Sequence, residues 1–276
     1  MMLLELAGIF FSIFIVFGFA AKDPRPVRFL ARAVIVSASA WMAEESCILL
    51  YRFYAYHPNW NLCLDQVPLL IVVTWPIIIF SAMELTSRIR IAHPVKGLFA
   101  GAAVVASDSL FIEPISVKAG LWQWTLPGLF NVPPIGILGW FFFALLSIGV
   151  LNTKRLKGPR TIHDTLLLVI PVLGTHFLLL LSWWGAFRWI NFQLPIPAIV
   201  GVGWCVSFVM IATILKKQTG RGIRKRTLLL RIPAALFFFG LLVVKATAPL
   251  PLAAYAIAFV PPYVLLMLQQ YRRHAT

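Results

Sequence analysis

This chain has few carboxylates, few cysteines and none of the common catalytic signatures. Aspartate and glutamate together number nine, against 24 lysines and arginines. The sequence holds no His-x-x-x-His pair, no glycine-rich phosphate loop and no Gly-x-Ser-x-Gly elbow, which removes the usual zinc, nucleotide and serine-hydrolase readings. It also lacks Asp-x-x-x-Asp pairs, which argues against a diphosphate–Mg²⁺ prenyltransferase site. The three cysteines, Cys47, Cys63 and Cys205, have no metal-ligand spacing. Cys47 and Cys63 both lie toward the outer side, where pairing is possible in principle, but free, buried thiols are the default expectation. No internal repeat relates the two halves.

What is abundant is apolar surface. Hydrophobic residues make up 61% of the 276-residue chain, and mean hydropathy is +0.89. That composition identifies an all-α polytopic membrane protein. Nine candidate spans follow: Leu3–Ala21, Phe29–Tyr51, Val67–Thr86, Val95–Val117, Ile135–Leu151, Thr165–Phe187, Ile196–Leu215, Leu228–Lys245 and Leu252–Leu268. Each approaches or exceeds what crosses about 30 Å of hydrocarbon. Connections are short, so residues 1–276 are expected to form a single integral membrane domain, one helical bundle. The first span reads as a retained helix, because Lys22, Arg25 and Arg28 follow it rather than precede it.

The net charge of +15 is distributed by loop. Lys22, Arg25, Arg28 and Arg32 follow span one; Arg88, Arg90 and Lys96 follow span three. Lys154, Arg155, Lys157 and Arg160 follow span five. Lys216, Lys217, Arg221, Arg224, Lys225, Arg226 and Arg231 follow span seven, and Arg272 and Arg273 follow span nine. Arg52, Lys118, Arg188 and Lys245 fall on the other side. This is the positive-inside pattern, and it predicts an outer N-terminus and a cytoplasmic C-terminus. It assigns the positive charge to topology and anionic headgroups, so no nucleic acid partner is expected. Trp60, Trp122, Trp124, Trp183, Trp184 and Trp189 then fall near the outer interface.

Four of the nine carboxylates interrupt apolar spans, and each asks for a reason. Glu44 and Glu45 lie in the outer half of span two. Asp108 lies somewhat beyond the midplane of span four, and Glu113 near its outer end. His176 falls at similar depth in span six. Glu44 and Glu45 are about 100° apart on a helix, so they cannot face one point. Pro114 disfavours helical geometry at Glu113 and predicts a bent or unwound helix end beside a pocket. Structural roles compete with functional ones: a Glu45–Arg52 pair, an Asp108–His176 hydrogen bond, a plain buried imidazole at His176. Glu84, with Arg88 four residues on, reads as an interfacial ion pair.

One stretch is specific: Asp108-Ser-Leu-Phe-Ile-Glu113-Pro114, then Gly120-Leu-Trp122-Gln-Trp124, then Val132-Pro133 and Gly139-Trp140-Phe141. It resembles the membrane family of carotenoid biosynthesis proteins that includes the bacterioruberin-pathway and gamma-carotene hydratases. Glu44 or Glu45, Tyr54-x-Tyr56, and Val67-Pro68 leading to Trp75 follow the family order, and the resemblance covers about residues 40–145. Where that family has Asn a few residues before Gly-Trp-Phe, this chain has Gly136.

The resemblance implies acid-catalysed hydration of the terminal C=C of an acyclic carotenoid, with no redox cofactor or metal. Glu113 or Asp108 would donate the proton, the other would orient water, and Glu44 or Glu45 would complete the polar pocket. Trp122, Trp124 and Trp140 would wall the isoprenoid end, and Tyr54 and Tyr56 would cap it, with Trp75 and His176 in the substrate-binding set. An aromatic face stabilises a cation by roughly 0.5–2 kcal/mol. The implied partners are a carotenoid or other isoprenoid substrate, membrane lipids and other carotenoid-pathway enzymes. The implied setting is the plasma membrane of a prokaryote. Two alternatives stay open: an end-group cyclase or isomerase, which begins with the same protonation, and a non-enzymatic lipid transporter or scaffold.

Overall fold

A computed structural model describes residues 2–87, 94–153, 160–190, 192–216, 225–244 and 250–274. Arg88, Arg90, Lys154, Arg155, Lys157, Lys217, Arg221, Arg224 and Lys245 lie outside the described residues, as do the side chains of Arg160, Lys225, Arg226, Arg272 and Arg273. The elements run α1 (Met2–Ala20), α2 (Pro26–Tyr51), β1 (Tyr54–Tyr56), β2 (Cys63–Leu64), β3 (Val67–Pro68), α3 (Leu69–Ser87), α4 (Pro94–Lys118), β4 (Trp122–Trp124), α5 (Pro134–Asn152) and α6 (Arg160–Ser182). A π-turn at Trp183–Phe187 leads to α7 (Arg188–Ile190). Then come α8 (Ile196–Lys216), α9 (Lys225–Val244), α10 (Leu250–Ile257) and α11 (Val260–His274).

Among the described residues, six helices have the length and apolarity to cross a membrane, and shorter apolar helices occupy Glu5–Ala20, Arg231–Val244 and Leu250–Leu266. The protein is a helical integral membrane protein, with helices at all nine expected positions. The ninth position differs in detail, because α10 and α11 are separate segments. A turn closed by Ala258 N–H to Tyr255 O (3.2 Å) and Phe259 N–H to Ala256 O (3.2 Å) divides them. Pro261 and Pro262 fall in the first turn of α11, where their missing donors cost nothing.

Helix α4 corrects the expectation of an unwound end at Glu113. It stays helical through Pro114 to Lys118. Pro114 has no N–H to give Leu110 O, four residues back. The Tyr255 hydroxyl donates to that orphaned carbonyl at 2.9 Å. Tyr255 is fully buried against Gly203, where a Cβ would stand 2.7 Å from its ring. A hydroxyl from α10 thus repairs the backbone defect, and Glu113 projects from a regular helix.

Helix α5 packs between α4 and α6, α2 packs on α6 and α3, and α1 packs on α3 and α2. Small buried residues, Ala40, Ala82, Ala102 and Ala144, let these helices approach closely around Val36, Ile79, Val105 and Ile148. A second core joins α4 to α8 and α10 through Ile115, Ile199, Leu252 and Tyr255.

Two chain reversals place the strands. Arg52 takes a left-handed conformation (φ 52°) and ends α2, its N–H bonded to Ile48 O at 3.1 Å. Gly120 (φ 73°) ends α4, with Leu121 N–H bonded back to Ser116 O at 2.9 Å. The chains leaving these helices pair antiparallel, Tyr54 opposite Trp124 and Tyr56 opposite Trp122. Alternation along a strand puts all four rings on one face of this short ladder.

Candidate active site

Beneath that face lies a cavity of about 850 Å³ lined mainly by apolar and aromatic side chains. The volume falls among ligand pockets, roughly 300–1,000 Å³. Glu113, on α4, is 3% exposed and enters it from one wall. Its Oε2 accepts hydrogen bonds from the indole nitrogens of Trp122 (2.8 Å) and Trp124 (3.0 Å), and its Oε1 accepts one from Trp140 (2.9 Å). A carboxyl group offers about four lone-pair sites. Three are taken by indoles, which donate only, so a proton carried on the fourth has no acceptor among these partners.

Glu44, on α2, enters the same cavity. Its Oε2 accepts hydrogen bonds from the hydroxyls of Tyr54 and Tyr56 (3.1 Å for Tyr56), and its Oε1 accepts one from Trp75 Nε1 at 3.2 Å. Burial, with Glu44 alongside, holds both phenols well above the usual tyrosine range, so they remain donors. The donors to the two acids interleave. Tyr54 and Trp124 have ring centroids 4.7 Å apart, Tyr56 and Trp122 5.8 Å, Trp75 and Trp140 4.9 Å. Each ring that serves Glu44 touches one that serves Glu113.

Gly136 is part of this packing. A Cβ there would lie 2.6 Å from the Trp124 ring, so the indole needs the space that a side chain would fill.

Asp108 also lines the cavity but is already paired. Arg231, on α9, donates Nη1 to Asp108 Oδ1 at 2.6 Å and to the Tyr263 hydroxyl at 2.9 Å, and Nη2 to Ser81 Oγ at 3.2 Å. Tyr263 donates to the same Oδ1 at 3.2 Å. This corrects three readings. Asp108 bonds Arg231 and Tyr263 rather than His176, its own side chain is the counterion of that arginine, and Arg231 lies within a helix rather than in a basic loop.

Two other expected site residues fall outside the cavity wall. Glu45 is turned away from Glu44 and accepts the Gln66 backbone N–H at 3.1 Å; among the described residues no ion pair joins it to Arg52. His176 bonds Ser46 Oγ (2.7 Å) through Nε2 and the Tyr51 hydroxyl (2.9 Å) through Nδ1, joining α6 to α2. Trp60 and Trp122 are buried within the protein, whereas Trp184 and Trp189 are exposed. All three cysteines are free, and Cys47 lines the cavity.

Sequence reading missed two buried charges. Glu5 is 1% exposed and accepts from Asn61 N (3.1 Å), Asn61 Nδ2 (2.8 Å) and Leu62 N (2.9 Å), tying α1 to the loop after α2. Arg231 had a signal, since it already stood inside the expected span Leu228–Lys245. Among the described residues, no group of three or more His, Cys, Asp or Glu is placed to hold a metal.

The arrangement provides two carboxyl groups, buried Glu113 and half-buried Glu44, facing a space walled by electron-rich rings. It can deliver a proton to an apolar molecule and shelter the cation that results. Comparison with known proteins places these residues in a family context. A family model described as carotenoid biosynthesis protein matches residues 2–208, well beyond the 40–145 stretch whose motifs stand out by eye. No curated protein and no solved structure matches the chain.

Proposed function

The chain belongs to the carotenoid biosynthesis protein family, and on that premise we propose that it is an enzyme adding water across the terminal C=C of an acyclic carotenoid. Glu113 protonates the alkene carbon nearer the chain, leaving a tertiary cation at the end carbon. Trp122, Trp124 and Trp140 face that cation. Water held by Glu44 attacks it, and Glu44 takes the proton released, so the product is a tertiary alcohol. Protons balance in the step, one leaving Glu113 and one arriving at Glu44, and the cycle closes when Glu44 gives its proton to water in the cavity and Glu113 takes one up from there. Asp108 is assigned no proton transfer here. Glu45 and His176 are assigned none either, since their partners lie off the cavity wall.

The observation that carries this reading is the donor-only shell of Glu113. Three indole N–H groups fix both oxygens and none can accept a proton, which leaves the cavity as the outlet. The test is turnover in deuterated water with membranes containing the protein and lycopene. Hydration places one deuterium on carbon and one oxygen from solvent in the product. Cyclisation is the second reading, favoured by Gly136, which offers no water-holding side chain in the wall beside Trp124. It gives a ring product with deuterium and no added oxygen.

We further place the N-terminus outside and the C-terminus in the cytoplasm of a prokaryotic cell, in one membrane domain. Lys22 and Arg25 between α1 and α2, with Arg28 and Arg32 in the first turns of α2, support that orientation. It sets the Glu44–Glu113 end of the cavity in the outer half of the bilayer.

A further inference from the structure

The cavity is not closed on all sides, and residues at its opening belong to two helices that both pack on α3. Helix α1 packs on α3, and α9 packs on α3 and α4, so α3 forms a floor between them. From α1, Ala7 and Phe11 line the cavity and are exposed; from α9, Ala234, Leu236 and Phe237 do the same. Phe11 is 45% exposed and Leu236 66%. The floor between them carries Thr74 and Ile78 of α3. Cavity-lining side chains this exposed, on two helices either side of one floor, point to a mouth between them. This mouth faces the hydrocarbon, because α1 and α9 are apolar along these stretches.

We propose that the slot between α1 and α9 is a lateral portal through which the end of a long isoprenoid hydrocarbon passes from the bilayer into the aromatic cavity. The occupant rests on the reading above, that the substrate is a carotenoid. Such a molecule is soluble in the hydrocarbon and not in the loops, so a sideways route costs no transfer into water. The cavity is of a size to enclose a drug-sized part of a molecule, and the remainder of the polyene stays in lipid across the slot. Helix α9 lies beyond the family-matched residues 2–208, so one jamb of the portal comes from outside that match.

The test narrows or widens the slot without touching Glu44, Glu113 or their partners. Ala7→Trp combined with Ala234→Trp narrows it. Phe11→Ala combined with Phe237→Ala widens it. Leu173→Trp and Phe208→Trp change exposed positions that do not line the cavity and serve as controls. Two quantities are read in cells making lycopene: pigment co-purifying with the protein, and the rate of pigment conversion. Narrowing is expected to lower both by roughly tenfold, the effect of about 1.4 kcal/mol on access. Widening should leave co-purifying pigment at or above the unmodified level, and the controls should stay within about twofold. Wild-type pigment content and rate in the narrowed variant, folded by its gel-filtration profile, overturns the portal. Co-purifying pigment reports on the slot even if no product forms, so failure of the hydration reading is seen separately.

Discussion

Tyr54 and Trp124 face each other across a two-stranded ladder, ring centroids 4.7 Å apart, and send their polar hydrogens to different acids of one cavity. Tyr54 bonds Glu44 and Trp124 bonds Glu113. The two acids therefore share one aromatic framework, and a change at either should be felt through the rings between them.

The three indoles on Glu113 make its substitution by glutamine informative. The amide keeps one acceptor oxygen and turns an NH₂ toward the third indole. Glu113→Gln is expected to cost roughly 1–3 kcal/mol for an unsatisfied buried donor. Adding Trp140→Phe removes the opposed N–H but gives the NH₂ no acceptor, so a detergent thermal-unfolding assay should show at most partial recovery, without restored conversion. Recovery of conversion in the double variant would remove Glu113 from the chemistry.

Glu44→Gln should behave differently. Two of its three partners are hydroxyls, which both donate and accept, so an amide can be accommodated by rotating them. Stability is expected to stay within about 1 kcal/mol of the parent. Conversion is expected to fall at least about tenfold. Unfolding temperature and pigment conversion, measured side by side, check both parts.

Much of this site was legible in the residues. Glu113, Glu44 and the aromatic spacing at Tyr54-x-Tyr56 and Trp122-x-Trp124 are local patterns, and a period of two puts alternate rings on one face. Where the face points, and that Tyr54 meets Trp124, depends on pairing between segments some 70 positions apart in the chain. No local signal carries that. Pro114 predicts a broken helix only as long as the donor that repairs it is out of view, and that donor, Tyr255, comes from another helix. The charge count assigns Arg231 to a basic loop, although its place inside an apolar span marks it as buried.

The Arg231–Asp108 pair predicts a strong contrast between single and double replacement. Arg231→Met leaves a carboxylate facing an apolar cavity and is expected to destabilise by about 3–5 kcal/mol. Arg231→Met with Asp108→Leu removes both charges and should come within about 1–2 kcal/mol of the parent. Thermal unfolding of the three proteins in one detergent decides it. An equal loss in single and double variants would show that the cost comes from losing Arg231's own contacts to Tyr263 and Ser81, not from an orphaned carboxylate.

Gly136→Ala places a methyl carbon where the Trp124 ring now lies, at 2.6 Å. Trp124 must shift, and its bond to Glu113 lengthens or breaks. Conversion should drop by roughly tenfold or more, in keeping with the sensitivity of reaction geometry to displacements near 1 Å. Unfolding should move by about 1–3 kcal/mol.

Alkaline titration gives an independent check on the phenols. Burial beside Glu44 holds Tyr54 and Tyr56 in the protonated form to higher pH than an exposed tyrosine. The folded state thus keeps protons that the unfolded state loses near pH ~10, and the stability these groups add declines as pH rises beyond that value. In ultraviolet titration, Tyr54→Phe with Tyr56→Phe should leave the phenolate signal developing around pH ~10 unchanged in the folded protein. A smaller signal in the double variant would mean that these hydroxyls titrate freely.

The central claim is that Glu113 hands a proton to the end of an acyclic carotenoid. Its most direct measurement is mass and retention analysis of pigments from cells that make lycopene together with the protein or its Glu113→Gln variant. The account predicts a product heavier by one water with the parent protein and unchanged lycopene with the variant, at equal membrane levels of both. The same hydrated product from the Glu113→Gln variant would contradict it.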